Sequence, residues 1–337
     1  MKRYTWVDYA KVISICLVIS FHTPPRPDGY WGEVVGMLRM PAFFLIAGFL
    51  FKAERFATLR SFLYHRSVQL LLPYTSFFFI FYILWLLVGR SLAGSEDMAI
   101  HPLIPLWEFV TGNPKTVVAP CWFLCCLFSM QVIYYLLMKY LPRLGVIAIV
   151  LLMPFLNCLD NLYSLPWSLA WAFRYMPFYA IPNLFREHIL GFAGRKCSVV
   201  ALLTLVAGMG CMALHHRMDN IWVDTFTEIV GGLLLLPIYI LLCKGIAHCH
   251  PADSVAEFIG KNTIIILPIQ NYIIGVFKIV CIHFYGPVFF EGNYVANILI
   301  TLAVLLLSVI PILVINRYFP AMIGRGAFFE ERLSGNH

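Results

Sequence analysis

Charged residues are scarce in this chain, and their scarcity excludes most kinds of soluble protein. Asp, Glu, Lys and Arg together make up 12% of the 337 residues, roughly half of their share in an average soluble domain. Hydrophobic residues make up 61% of the chain, and its mean hydropathy is +0.82. This composition predicts an integral membrane protein.

The sequence also lacks features that would indicate other architectures. It contains no internal repeat, low-complexity tract or appended soluble domain, so we predict a single integral-membrane domain over residues 1–337. The alternating pattern of a membrane β-barrel is missing, which favours helices. The first apolar run contains Asp8 and Lys11 and has no small-residue cleavage site after it. We therefore expect it to remain as a helix and not to be removed as a signal peptide.

Cysteine and histidine give little sign of a disulfide framework or a metal site. Most of the ten cysteines lie in apolar stretches, and their spacing matches neither a disulfide scaffold nor a zinc ribbon. The runs His248-Cys249-His250 and His215-His216 are potential metal ligands, but we favour solvated loop ends and expect no metal. Among the ten histidines, His22 is the one that we predict within a membrane helix.

What the sequence does contain is a series of long apolar stretches, each able or nearly able to cross ~30 Å of hydrocarbon. They predict an all-α membrane protein, a polytopic bundle of about ten transmembrane helices. The predicted spans are 4–23, 31–52, 67–89, 119–139, 143–159, 165–185, 199–215, 226–245, 258–281 and 295–317.

The distribution of basic residues predicts the orientation of these spans. With both termini cytoplasmic, the outer side receives few Lys and Arg residues, and most of the others fall at cytoplasmic ends, as the positive-inside rule requires. The outer ones are Arg26, Arg90, Lys115, Arg217 and Lys278. The net charge of +7 therefore reflects topology, and we expect a lipid bilayer around the protein and no nucleic-acid binding.

Several ionisable residues fall inside the predicted spans, among them Lys11, His22, Arg39 and Arg174. At the centre of a span each costs roughly 2.5–3.5 kcal/mol on insertion scales and is a functional candidate by default. Lys11 and His22 are separated by eleven positions, about three helical turns, so they share one helix face about 16 Å apart. Arg39 and Arg174 lie within other spans and need partners.

Short motifs occur in a fixed order along nearly the whole chain. The first span carries Trp6, Asp8, Lys11 and His22, and the second contains Met40-Pro41-Ala-Phe43-Phe44-Leu-Ile-Ala47-Gly48-Phe49. Then follow Arg66 to Leu72-Pro73-Tyr74, Trp122-Phe123-Leu124, Met176-Pro177-Phe178-Tyr179 and Phe258-Ile259-Gly260-Lys261-Asn262-Thr263. In these motifs the chain resembles the acyltransferase 3 family of integral-membrane O-acyltransferases, in the standalone form without a soluble hydrolase-like domain.

The resemblance implies transfer of an acetyl group from acetyl-CoA to a sugar hydroxyl of a cell-surface glycan or its lipid-linked precursor. A hydroxyl is a poor nucleophile near pH 7, so a histidine such as His22 suits the role of base or transient acyl carrier. The alternative for His22 is a polar cap at the outer end of its helix. Lys11 and Arg39 suit charge stabilisation. The alternatives are an ion pair of Lys11 with Asp8, and of Arg39 with Asp8 or Glu33.

Donor binding is predicted at Arg66 and Arg60, because arginine forks suit the phosphates of coenzyme A. Contact with lipid headgroups is the alternative for this basic segment. Further candidates for a polar cavity are Asp8, Trp122, Arg174, Lys261 and Asn262. Trp122 could equally be an interface anchor, and Asn262 a cap at the start of the ninth helix.

The chain departs from the family pattern at four positions. Gln69 stands where the family often has the second arginine of Arg-x-x-Arg, and Pro182 where a glycine is usual. Leu267 and Gln270 stand where Tyr and His are common. These differences concern the acceptor and the details of donor binding more than acyl transfer itself.

Two alternatives to acetyl transfer remain open at this point. A secondary transporter would use the same intramembrane charges, although such proteins often contain paired halves and we find no such symmetry. Another acyl group, such as succinyl, is a variant of the enzyme hypothesis. We predict an acyl-CoA-dependent O-acetyltransferase in the bacterial inner membrane.

Overall fold

A computed structural model describes residues 3–26, 29–90, 99–159, 165–215 and 220–326, and these ranges contain helices and no strand. The first seven helices are α1 (Thr5–His22), α2 (Gly29–Leu50), α3 (Leu59–Arg66), α4 (Leu72–Leu84), α5 (Leu103–Thr111), α6 (Trp122–Tyr140) and α7 (Arg143–Leu152). The others are α8 (Leu169–Leu184), α9 (Arg186–Gly191), α10 (Arg195–Leu214), α11 (Ile221–Cys249), α12 (Asp253–Tyr285), α13 (Tyr294–Leu307) and α14 (Val309–Tyr318). His216 and Arg217 lie outside the described residues.

The all-α, polytopic fold class is confirmed. Within the described ranges, eight helical segments are long and apolar enough to cross a membrane. The other two predicted spans, 143–159 and 165–185, correspond to shorter helices, Arg143–Cys158 and α8. The count of about ten spans is therefore not confirmed. Three of the helical segments, Leu59–Gly89, Ile221–Cys249 and Asp253–Tyr285, extend several residues beyond the predicted apolar stretches.

The chain forms two compact units, and the prediction of a single domain over 1–337 stays a prediction. The first unit comprises Met1–Phe51, Ile147–Leu159 and Arg174–Val309. The second comprises Lys52–Val146, Asp160–Phe173 and Ile310–His337.

Helix α1 packs against α2, α11, α12 and α13 in the first unit. Small side chains permit this packing: Tyr239 of α11 donates a hydrogen bond to the carbonyl of Ala10 (2.6 Å), and its oxygen is 2.8 Å from Ser14 Oγ. On the other side, a Cβ atom at Gly260 of α12 would lie 3.3 Å from Asp8 Oδ1. Glycine at this position therefore lets α12 approach the first turns of α1.

Helices α2 and α8 also approach closely in the first unit, at Gly48. A side chain at Gly48 would overlap the carbonyl of Tyr179, so glycine at this position permits the close approach of the two helices. Asn183 Nδ2 donates to the carbonyls of Gly48 (2.9 Å) and Phe51 (2.7 Å). These bonds satisfy the last carbonyls of α2, which have no partner within the helix.

Aromatic contacts join the helices of the second unit. Phe62 of α3 stacks on Tyr135 of α6 with ring centroids 4.3 Å apart, and Tyr74 of α4 donates to the carbonyl of Phe109 in α5 (3.0 Å). Helix α5 lies between the predicted spans 67–89 and 119–139, where we predicted no helix. Its C-terminal side is ordered by Glu108, whose carboxylate accepts hydrogen bonds from the backbone N–H groups of Lys115 and Thr116.

Candidate active site

His22 is the last residue of α1, and its ring is fixed by its own helix. Nδ1 lies 2.7 Å from the carbonyl oxygen of Val18, one turn earlier. Because a carbonyl oxygen can only accept, Nδ1 must carry the proton of this bond. In a neutral ring, the proton on Nδ1 leaves Nε2 with its lone pair. The half-buried ring therefore presents a proton acceptor or nucleophile at Nε2.

The end of α1 beside His22 is held by Asn297 of α13, a buried residue that we did not predict. The two hydrogens of its Nδ2 are shared among the carbonyls of Ser20 (2.8 Å), Thr23 (2.7 Å) and Pro25 (2.9 Å), and its Oδ1 accepts from Ser20 Oγ (2.7 Å). The amide thus fixes the backbone on both sides of His22. A signal existed in the sequence, since Asn297 is a polar residue in the most apolar span, of mean hydropathy 3.1.

Arg39 of α2 lies against the residue that precedes His22. Its guanidinium carbon is 3.5 Å from the ring centroid of Phe21, a distance typical of a cation–π contact. Arg26, which we predicted only as an outer basic residue, lies over the same ring, with its guanidinium carbon 5.9 Å from the ring centroid. The charges of Arg39 and Arg26 are both close enough to act on His22.

Neither Asp8 nor Glu33, the two carboxylates considered as partners of Arg39, forms an ion pair with it among the described residues. Asp8 is bonded to Arg3 at 3.0 Å, and the structure shows no ion pair between Glu33 and Arg39 within the residues it describes. Chiefly through the hydrogen bond with Asp8, the pKa of Arg3 is raised above its ordinary value. Arg3 also pairs with Glu257 at 2.6 Å, so it joins the start of α1 to α12.

Lys11 and Arg174 have different surroundings. Lys11 lies half-buried on α1, eleven positions before His22. Arg174 of α8 pairs with Glu228 of α11, and its Nε donates to Glu228 Oε1 at 3.1 Å. The partner that Arg174 needs inside the membrane is therefore Glu228, which the sequence analysis did not single out. Such bidentate pairing identifies Arg174 as a structural link between α8 and α11.

Lys261 and Asn262 lie inside a helix and not at its start. Helix α12 begins at Asp253, and the hydroxyl of Tyr9 donates to Asp253 Oδ1 at 2.8 Å. Lys261 is exposed and pairs with Glu257 at 2.6 Å, while buried Asn262 donates to the carbonyl of Phe258. The predicted cap role of Asn262 is therefore wrong, because polar residues before 258 extend the helix beyond the apolar stretch.

The donor candidates lie in the second unit. Arg66 Nη1 donates to Gln69 Oε1 at 2.8 Å, and its guanidinium carbon is 5.3 Å from the ring of Phe56. Gln69, the residue that replaces a family arginine, therefore holds Arg66. Arg60 lies exposed on α3. Trp122 is half-buried and contacts the ring of Trp171 at 5.4 Å, in a tilted arrangement.

Membrane location alone does not distinguish His22, contrary to our expectation. His65, His248 and His283 also lie within the long apolar helical segments, because these helices are longer than predicted. His248 and His283 are exposed, whereas His22 is half-buried beside two arginines. Its surroundings, and not its depth, set His22 apart.

These residues lie within a segment that matches a known family. The sequence model of the acyltransferase 3 family, described as an acyltransferase domain, matches residues 4–317. The chain belongs to the acyltransferase 3 family. No curated protein and no solved structure shows a significant match. Together with the apolar helices, membership identifies an integral membrane acyltransferase.

Proposed function

We propose that this acyltransferase moves an acetyl group from acetyl-CoA to a hydroxyl of a sugar, in a cell-surface glycan or its lipid-linked precursor. It would act in the bacterial inner membrane with both termini cytoplasmic. Membership of the acyltransferase 3 family supports the reaction class. The observation that carries the mechanism is the hydrogen bond from His22 Nδ1 to the carbonyl of Val18, which leaves Nε2 as the acceptor.

In the proposed reaction, His22 Nε2 takes the proton of the sugar hydroxyl while its oxygen attacks the thioester carbonyl. The carbon–sulfur bond then breaks, and the coenzyme A thiolate leaves and takes a proton from the imidazolium. The developing negative charge on the carbonyl oxygen is stabilised by Arg39, which lies beside His22. Lys11 lies about 16 Å from His22 along α1, too far to share this role. An acetyl-imidazole formed at Nε2 is the variant in which His22 carries the acyl group.

Arg66 and Arg60 are proposed to bind the phosphates of coenzyme A. A guanidinium presents paired donors that match phosphate oxygens. Gln69 supports this role for Arg66, because its side-chain carbonyl accepts a hydrogen bond from Arg66 Nη1 and so restricts the orientation of the guanidinium. The ring of Phe56 restricts it further from another direction.

The test is acetyl transfer in membranes supplied with labelled acetyl-CoA and a panel of envelope acceptors. His22→Ala should abolish transfer, and it should fold normally because the only hydrogen bond of His22 within the described residues is to its own helix. His283→Ala, which removes an exposed histidine from α12, is the matched control and should transfer normally. Transfer that survives His22→Ala would remove His22 from the chemistry.

The same assay tests the donor and the class of function. Succinyl-CoA in place of acetyl-CoA identifies the acyl group, and release of free coenzyme A distinguishes an enzyme from a transporter. If neither donor releases coenzyme A with any acceptor, the proposed reaction is wrong.

A further inference from the structure

Two arginines and a histidine share one small region at the end of α1. Arg39 and Arg26 both lie over the ring of Phe21, at 3.5 Å and 5.9 Å from its centroid. Their guanidinium carbons are therefore separated by no more than the sum of these distances. Each of the two charges acts on the other and on His22. Like charges at this range repel, so the cluster is unfavourable unless a negative charge joins it.

The described residues supply no carboxylate to this cluster. Asp8 is bonded to Arg3, Glu228 is bonded to Arg174, and Glu33 forms no ion pair there. The Nε atom of Arg39 is buried and has no hydrogen-bond partner in the described part of the chain. A buried donor without a partner requires an explanation, such as a catalytic role or a bound ligand or water. Arg39 Nε is one of several such atoms among the described residues, and it is the one that lies beside His22 and a second arginine. The donor therefore points to a ligand with acceptor oxygens.

The end of α1 is also prepared for an anion. Free carbonyls at a helix C-terminus would repel negative charge. Here Thr23 Oγ1 donates to the carbonyl of Ile19 (2.9 Å), and Asn297 donates to that of Ser20 (2.8 Å). The carbonyls of Ile19 and Ser20 are thus already hydrogen-bonded, which reduces the negative potential at this end of α1.

We propose that Arg39 and Arg26 bind a phosphate-type oxyanion carried by the acceptor, so that the hydroxyl to be acylated lies beside His22. Two guanidinium groups match a group with several oxygens and more than one negative charge. The inference rests on the proposed function for the identity of the ligand as acceptor. It assigns Arg26 and Arg39 to substrate recognition before any charge develops in the reaction.

The first experiment measures binding of inorganic pyrophosphate to the purified full-length protein in neutral detergent by isothermal titration calorimetry. Arg39→Gln should weaken binding about tenfold or more, and Arg26→Gln several-fold, because each removes charge-assisted hydrogen bonds. Arg39→Lys keeps the positive charge but loses the paired donors of the guanidinium, so its affinity for pyrophosphate should lie between that of Arg39→Gln and that of the wild type. Arg195→Gln, which removes an exposed arginine from the start of α10, is the matched control and should bind normally. Arg66→Gln shows whether pyrophosphate binds at the donor segment instead.

Three outcomes would overturn the proposal. They are no pyrophosphate binding by the wild type, binding unchanged in Arg39→Gln, or binding lost only in Arg66→Gln. Coenzyme A titrated into the same variants distinguishes the source of the phosphate. If Arg39→Gln weakens coenzyme A as strongly as pyrophosphate, the site belongs to the donor and the acceptor assignment is wrong. Displacement of pyrophosphate by phosphatidylglycerol in mixed micelles, but not by N-acetylglucosamine 1-phosphate, would assign the site to a lipid headgroup instead.

The proposal and the proposed function fail in different ways. Pyrophosphate binding requires no acyl transfer. If binding depends on Arg39 but the protein releases no coenzyme A, the anion site is supported and the transferase reaction is contradicted. Normal acetyl transfer by Arg39→Gln, with unchanged KM for the acceptor, would support the transferase reaction and contradict the anion site.

Discussion

Asn297 should be essential for the position of His22, and replacing it tests the geometry of the site directly. Asn297→Ala removes the four hydrogen bonds that join α13 to the residues around His22. Hydrogen bonds between membrane helices contribute about 0.6 kcal/mol each on average, and bonds in water-soluble proteins about 1 kcal/mol. The expected loss of stability is therefore about 2–4 kcal/mol.

The assay compares stability and activity in the same preparations. Thermal unfolding in detergent micelles measures the loss of stability, and acetyl transfer per folded protein measures the effect on the site. We expect kcat to fall at least tenfold, with little change in KM for acetyl-CoA, because the end of α1 loses its fixed position while the donor segment is untouched.

The matched control is Asn293→Ala, one turn earlier on α13. Asn293 Oδ1 accepts from the backbone N–H of Ala296 (3.1 Å), so this variant loses an N-cap worth about 1 kcal/mol. It touches no residue of α1 through that bond, and its transfer rate per folded protein should be normal. If Asn297→Ala and Asn293→Ala lose activity equally, or if Asn297→Ala loses only stability, the positioning role is refuted.

Three further changes test the packing around the site. Glu228→Gln removes the carboxylate that pairs with Arg174 and should lower stability by about 3 kcal/mol in thermal unfolding, with partial recovery when Arg174→Gln is added. Gly48→Ala should cost about 1–3 kcal/mol because the methyl group would overlap the Tyr179 carbonyl, whereas Gly36→Ala on the same helix, with open space around it, should be neutral or stabilising. Both amide atoms of Gln270 are buried without a hydrogen-bond partner among the described residues. Gln270→Met should therefore raise the melting temperature, because it removes two unsatisfied polar atoms, and it should lower acetyl transfer. Unchanged transfer would exclude a contact between Gln270 and the substrate.

The sequence was sufficient to predict the class of fold, because hydropathy and the shortage of charge act over whole segments. It placed eight of the membrane helices near their positions in the structure. It could not place their ends, because hydrogen-bonded polar residues such as Asp253 continue a helix past its apolar stretch. It also did not predict α5, because a helix of 9 residues is too short to be recognised as a membrane span.

The motifs predicted His22, but the tautomer that makes it a candidate base depends on one distance, between Nδ1 and the Val18 carbonyl. The residues that orient it could not be predicted by periodicity. Asn297 is separated from Ser20 by 277 positions, and no local pattern joins them. Only the packing of α13 against α1 brings this amide to the end of the first helix.

The structure also sorts charges that look equivalent in the sequence. Arg39 and Arg174 both stand in apolar spans, and hydropathy assigns both the same cost. Glu228, 54 positions along the chain, neutralises Arg174, so the membrane location of Arg174 is explained without a ligand. Arg39 lies against Phe21 with a buried donor that no described group accepts from. Because the remaining cost falls on Arg39, it is the arginine for which we propose a substrate contact.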